Sequence, residues 1–292
     1  MSETHAEAIE ANKKEMDLNF ARIYDELDSQ KFFNSVNARV LLEFDPLKVL
    51  PPTDSVIDKL VDLPKPGSDL WISKEPRSIL DFAVGTGSLT EKLAPYLQNG
   101  SEVVGIDINE SFMLLFTERI ERLEVTHPDI KFEAVINDVL NDDTAQFQDR
   151  FDLIFLTISY HHIHNYETVT KKLALFLKKD GHLVIIDFYN EDVEKETAPG
   201  KAPGGAVQHM GGLKLEKLKE TLGDLSGLSN VSAVPFAELK LFLPEKFIMN
   251  HSTQSTIDAL KDGKLPQKIA KDGSNLFEIT IKLVIATGTK LS

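Results

Sequence analysis

Ile79-Leu80-Asp81-Phe82-Ala83-Val84-Gly85-Thr86-Gly87-Ser88 reads as a short apolar strand running into a glycine-bearing turn, with the first residue of a helix behind it. That order points the helix's free backbone N–H groups at whatever lies beyond the strand end. Gly85 and Gly87 lack Cβ, so the turn can be sharp and a ligand can approach the backbone closely. A Gly-x-Gly pair also occurs in ordinary strand-to-helix turns, so its surroundings decide the reading.

Outward from the turn, short apolar runs alternate with helical stretches, the pattern of a parallel sheet covered by helices. The pattern predicts strands over 78–82, 102–107, 131–135, 152–156 and 182–188, and helices over 89–97, 110–125 and 167–178. Asn109-Glu110-Ser111 offers N-cap chemistry to the second helix, and Lys178-Lys179-Asp180-Gly181 is expected to close the third. Further on, a helix over 215–222, extended stretches over 231–243 and 276–285, and a short helix near 255–260 are expected.

Upstream, Ile9, Met16, Phe20, Ile23, Tyr24 and Leu27 form a helical stripe within 6–28, and 32–50 suggests a second helix. Pro51, Pro52, Pro64, Pro66 and Pro76 then limit 54–63 to a short helix. The fold expected is α/β: a doubly wound, mostly parallel seven-stranded sheet with helices on both faces, an N-terminal helical cap and an insertion after strand five. Residues 1–76 are assigned to the cap and a proline-rich connection, and 77–292 to the core. The insertion, at about 189–212, is polar and rich in glycine and proline.

Composition narrows the function. The 292 residues are 42% hydrophobic and 27% charged, enough for a sizeable core. A net charge of −14 argues against a surface that tracks nucleic-acid phosphates. The absence of cysteine excludes disulfides, thiolate metal sites and cysteine nucleophiles. Residues 1–14 are polar and acidic, unlike a signal or transit peptide, and no apolar run approaches the roughly 20 residues of a membrane helix. A cytoplasmic chain with no nucleic-acid or membrane partner is expected.

Three residues sharpen the turn. Asp81 places a carboxylate at the strand's C-terminal end, where it can attract a ligand's ammonium group. Thr90 stands where the dinucleotide fingerprint wants its third glycine or alanine. Asp107 ends the second strand, where a carboxylate can accept bonds from both hydroxyls of an adenosine ribose. Asp107 suits NAD equally well, so an NAD(P)-binding oxidoreductase is the competing reading.

With these residues in view, the arrangement resembles the class I S-adenosylmethionine-dependent methyltransferases over roughly 77–188. The stretch 79–90 resembles the family's first motif, with Ala83 where glycine is common. Val103-Val104-Gly105-Ile106-Asp107-Ile108 resembles the second, whose acid holds the ribose, and Asn137-Asp138-Val139 the third, whose acid meets the adenine amino group. Phe151-Asp152-Leu153-Ile154-Phe155-Leu156 followed by His161-His162 resembles the fourth, and Leu177-Lys178-Lys179-Asp180-Gly181-His182-Leu183 the turn into strand five.

The resemblance implies S-adenosylmethionine as methyl donor, S-adenosylhomocysteine as product and a small organic acceptor. It assigns the cofactor to Asp81, Ala83, Gly85, Gly87, Asp107, Ile108, Asp138, Val139 and Leu156. A protein methyltransferase and a non-catalytic cofactor-binding relative are the alternatives within the family.

His161, His162 and His164, at the rim where open α/β sheets hold their ligands, are the candidate bases, with His161 and His162 foremost. Phe20, Tyr24 and His209 are candidate lid or substrate contacts. No metal is expected, because adjacent histidines in a regular element diverge and no carboxylate stands at a fixed spacing from them. Asp142 and Asp143, beside Asp138, are expected to be solvated turn residues.

Overall fold

Side-chain caps divide the N-terminal helical stretch. In a computed structural model describing residues 4–46, 48, 56–189, 206–209, 212–270 and 273–291, the Thr4 hydroxyl accepts from Glu7 N–H, and Glu7 accepts from Thr4 N–H in return, opening α1 (His5–Glu15). The expected helix over 6–28 then breaks, because the Asp17 carboxylate accepts from Phe20 N–H and starts α2 (Leu18–Tyr24). α3 (Asp28–Glu43) follows, beginning earlier than the sequence suggested. Val56–Ile57, expected in a short helix, is instead strand β1, and residues 54 and 55 of that expectation lie outside the described residues. The four-residue α4 (Asp69–Ile72) seats Trp71, whose indole N–H donates to the Leu41 carbonyl of α3.

The alternating core comes next: β2 (Ser78–Phe82), α5 (Ser88–Leu93), β3 (Glu102–Asp107), α6 (Glu110–Thr126), β4 (Lys131–Ile136), β5 (Phe151–Thr157), α7 (Tyr166–Phe176) and β6 (Leu177–Tyr189). The remaining elements are α8 (Leu215–Glu220), β7 (Ser229–Pro244), α9 (Glu245–His251), α10 (Gln254–Lys261), β8 (Gln267–Ile269) and β9 (Asn275–Thr289). Of the expected insertion, residues 190–205 and 210–211 lie outside the described residues.

The strands form one sheet in the order β1-β7-β9-β6-β5-β2-β3-β4, with β8 paired to β9. It contains the seven strands expected, plus the two- and three-residue strands β1 and β8. β9 runs antiparallel to both β6 and β7, while β2 to β6 pair in parallel. Successive side chains feed opposite faces. Ile79, Val103, Leu153, Val184 and Ile285 join the core under α3, α5 and α6, while Leu80, Val104, Ile154, Leu183 and Val284 join the core under α7 and α8. Lys178 to Gly181 do not cap α7. They bulge between two stretches of β5–β6 pairing, with Asp180 taking the left-handed conformation.

The chain leaves β2 towards β3 on one side and later fills β5 on the other, so the C-terminal ends of β2 and β5 mark the sheet's switch point. Above β3, a Cβ on Gly105 would lie 2.2 Å from the Phe116 ring of α6, and one on Gly87 would lie 2.1 Å from it. Phe116 is fully buried, so it has little room to yield. Gly105→Ala should lower unfolding free energy by about 1 to 3 kcal/mol, and much of that should return in a Phe116→Leu background. Additive losses in urea titrations of the two single and the double variants would contradict this wedge.

Candidate active site

The turn after β2 repeats one backbone conformation at alternate residues: Ala83, Gly85 and Gly87 all have positive φ, at 56°, 57° and 77°. Open space lies beyond the Gly85 Cα, whereas Gly87 is pressed on Phe116. Ala83 therefore accepts a strained conformation where glycine would be relaxed. Ile158, just past β5, is a second strained position, a β-branched residue at φ 51°. Both border a cavity at the switch point, between the sheet's C-terminal edge and α1, α2 and α3.

Of the candidate site residues, Asp81, Ala83, Gly85, Asp107, Ile108, Asp138, Val139, Tyr24, His162 and His164 line this one cavity. Five others do not. Gly87 serves helix packing, as its approach to Phe116 shows. Leu156 is wholly buried in the core under α7, and its successor Thr157 faces the cavity instead. Phe20 packs edge-on against Tyr24, behind the ring that reaches the wall. His209 is held away by a bond between Nε2 and the Ile163 carbonyl and by an edge contact with Tyr166. His161 is 1% exposed and lies behind His162. Asp142 and Asp143 are exposed after β4, as expected, and Asp142 also accepts from Asp138 N–H.

The carboxylates are held differently. Asp107 accepts from Gly85 N–H and from Asn109 N–H, both at 2.9 Å, and so ties the turn to the start of α6. Burial raises its pKa, and backbone N–H groups oppose the rise. Asp81 is buried and accepts from the Thr90 hydroxyl at 2.6 Å. Desolvation pushes it up to about 7, against the pull of that hydroxyl and with the added charge of Asp107. Asp138 accepts from Leu140 N–H, from the Asn141 amide and from His5 Nε2. Burial would raise its pKa, but these bonds outweigh it and hold the group low.

Helices α1 and α3 supply wall residues the sequence did not reveal. His5 and Asn12 come from α1, and Asn34 and Asn37 from α3. Arg119 secures the tip of α2: it donates to the Thr86 carbonyl and pairs with Asp25 and Glu91, while Asp25 also accepts from the Thr86 hydroxyl. Among the described residues, six buried polar side-chain atoms lack a protein partner. Four of them, His5 Nδ1, Asn37 Oδ1, Asn137 Oδ1 and Ser159 Oγ, belong to residues of this wall. Buried polar atoms left without partners cost stability, so their concentration here marks a site built to receive a polar ligand.

The histidines behind the wall are neutral. Asp187 accepts from Ser159 N–H, His161 N–H, Phe188 N–H and His161 Nδ1, a four-donor environment that suits a carboxylate. Burial lifts its pKa to about 6 against those donors. Burial drives His161 and His162 down to about 3, with His209 adding to the first and His161 to the second. At pH 7 the His161–Asp187 contact is therefore a hydrogen bond from a neutral imidazole to a carboxylate.

A methyltransferase-domain family matches residues 72–221, just over half the chain. The chain belongs to this family. It is a class I methyltransferase, and its methyl donor is S-adenosylmethionine. An uncharacterized methyltransferase of Schizosaccharomyces pombe is 26% identical over 76% of this chain and 75% of its own length. The ubiquinone/menaquinone biosynthesis C-methyltransferase UbiE of Escherichia fergusonii is 27% identical over 40% of this chain, and the match spans 45% of UbiE. The solved CurJ carbon methyltransferase superposes with a TM-score of 0.52 at 15% identity, covering 98% of this chain and 61% of that one, which is a likeness of fold.

The methyltransferase's wall suits that cofactor. Orphaned polar atoms line it, and the open side of Gly85 leaves room for close backbone approach. Ala83→Gly should raise stability by about 0.5 to 1 kcal/mol, because it releases a left-handed alanine. A lower urea midpoint for this variant would show that Ala83 is unstrained.

Proposed function

We propose that the methyltransferase acts on a small organic acceptor, held in the cavity between the switch point and α1–α3. The observation that carries this reading is the position of the N-terminal helices. Side chains of α1, α2 and α3 stand opposite Asp81 and Thr157–Ser159, so the space over the sheet is a walled pocket rather than an open groove. The relative named for ubiquinone and menaquinone biosynthesis, and the acidic charge of the chain, agree with a small-molecule acceptor. In this reading residues 1–76 supply the cap, with β1 contributed from them to the sheet, and 77–292 form the core.

When bound, the cofactor supplies a methyl group already made electrophilic by the adjacent sulfonium. The protein's work is then alignment and exclusion of water. Asp107 would receive the ribose hydroxyls on lone pairs left beside its backbone bonds from Gly85 and Asn109 N–H. Asp138 and Val139 N–H would hold the adenine edge, and His5 bonds to Asp138 beside it. Asp81, which lines the cavity beside Ala83 and Gly85, would hold the ammonium end. His162, neutral and at the wall, accepts a hydrogen bond from the acceptor and receives its proton as transfer makes it acidic. His161, fixed by Asp187, backs His162 at a ring separation of 4.0 Å.

Asp107→Ala should weaken S-adenosylmethionine binding at least about tenfold, since charge-assisted bonds contribute roughly 1.5 to 3 kcal/mol each. Unchanged affinity in isothermal titration would remove Asp107 from the ribose. Asp81 provides a signed pH test. A cationic ammonium favours its carboxylate form, so binding pulls its pKa below the free value of about 7. Affinity should therefore rise from pH 6 to 7.5, with roughly half a proton released at pH 7. Asp81→Asn should flatten both effects, and proton uptake instead of release would contradict the assignment. NADH should not bind, and labelled methyl groups should reach a component of a small-metabolite extract. Tight cofactor binding with no turnover on any extract would favour a non-catalytic relative.

A further inference from the structure

Three imidazoles from two distant parts of the chain meet behind the cavity wall. His161 and His162 follow β5 in a short turn, and His251 ends α9, about ninety positions further on. Each offers a ring nitrogen, and the three nitrogens lie within 4.8 Å of one another. Which nitrogen each offers follows from the bonds on the other side of the ring. His161 Nδ1 lies 2.8 Å from Asp187 Oδ1, His162 Nδ1 3.1 Å from the Ala206 carbonyl and His251 Nδ1 2.9 Å from the Phe247 carbonyl. Carbonyls and carboxylates only accept, so all three Nδ1 atoms carry the proton. The three Nε2 atoms are left with free lone pairs.

We propose that His161, His162 and His251 form a binding site for one divalent transition-metal ion of the zinc, cobalt or nickel type. Three lone pairs brought together with no donor among them repel one another, and a cation relieves that repulsion. Tetrahedral zinc with bonds of about 2.0 to 2.1 Å sets its nitrogens roughly 3.4 Å apart, so nitrogens now within 4.8 Å of one another would have to close inward to bind it. The outer partners have the form that metal-binding histidines use, with each far N–H donated to a carboxylate or carbonyl that fixes the ring and raises its basicity. Phe188 and Phe247 pack on the imidazoles, and the Phe247 and His251 rings stack at 4.1 Å, which restrains the ligands and dries the site. An all-imidazole donor set selects borderline ions over magnesium and calcium, which require oxygen. Burial already holds all three rings neutral, so the ion need displace no proton.

The site departs from the metal-free expectation of the sequence for a geometric reason. The short 3-10 turn carrying Tyr160–His162 is not a regular strand or helix, and its two adjacent rings lie 4.0 Å apart instead of diverging. His162 also lines the cavity. The ion would take the His162 Nε2 lone pair, so the base role proposed for His162 belongs to the metal-free protein, and in the loaded protein the ion's remaining positions would open toward the acceptor space.

The test needs neither cofactor nor acceptor, so it stands or falls separately from methyl transfer. Full-length protein treated with chelator and then freed of it is titrated with Co2+, read by visible absorption, and with Zn2+, read by calorimetry and thermal unfolding. One ion per chain is expected, with a ligand-field band and a Tm that rises with zinc concentration. His251→Gln and His162→Gln should each weaken affinity at least about tenfold, while His127→Gln, remote on the C-cap of α6, should not. Two variants guard against a folding defect in either. No cobalt band, no zinc-dependent Tm shift, or equal affinity in wild type and both cluster variants would overturn the proposal.

Discussion

One carboxylate joins the parts of the site. Asp107, at the end of β3, holds Gly85 N–H on one oxygen and Asn109 N–H on the other, so the turn after β2 and the start of α6 cannot move independently. Asn109 then caps α6 through Ser111 N–H and donates its amide to the Met16 carbonyl at the end of α1. α6 carries Phe116, which requires glycine at 87 and 105, and Arg119, which fixes the turn to α2. Removing this hub would loosen the ribose site, the glycine turn and the N-terminal wall together.

Much of this was legible in the sequence because parallel strands buried on both faces have little choice of residue. Ser78–Phe82 and Glu102–Asp107 fall where the apolar runs place them, and the acids that end them reach the cavity. What escaped was set by long-range contact. β1 and β8 are too short to show a period, and only pairing with β7 and β9 makes them strands. Asp17 breaks a helix that the apolar stripe alone would continue. His5 and Asn37 look like ordinary polar helix residues until α1 and α3 turn them to the cavity. His251 joins His161 only through the fold, and no local spacing could show it.

The site combines charge where solvent is scarce with histidines kept from carrying it. Asp81, Asp107 and Asp187 are all raised by burial, yet each is answered by hydrogen bonds aimed at the carboxylate. Such an arrangement prefers a cationic ligand near Asp81 to an additional anion. The buried imidazoles are the complement, electron-pair donors that remain neutral at cellular pH. Two of the five left-handed non-glycine residues among the described residues, Ala83 and Ile158, lie on the same rim, where a fixed backbone is needed to hold a ligand in register.

In the proposed reading, this cavity receives the adenosyl cofactor with its ribose on Asp107. A crystal structure with S-adenosylhomocysteine tests it most directly. The ribose hydroxyls should lie on the Asp107 carboxylate, adenine beside Asp138 and the amino-acid end beside Asp81 and Gly85. Nucleoside density elsewhere, or a ribose without contact to Asp107, would contradict it.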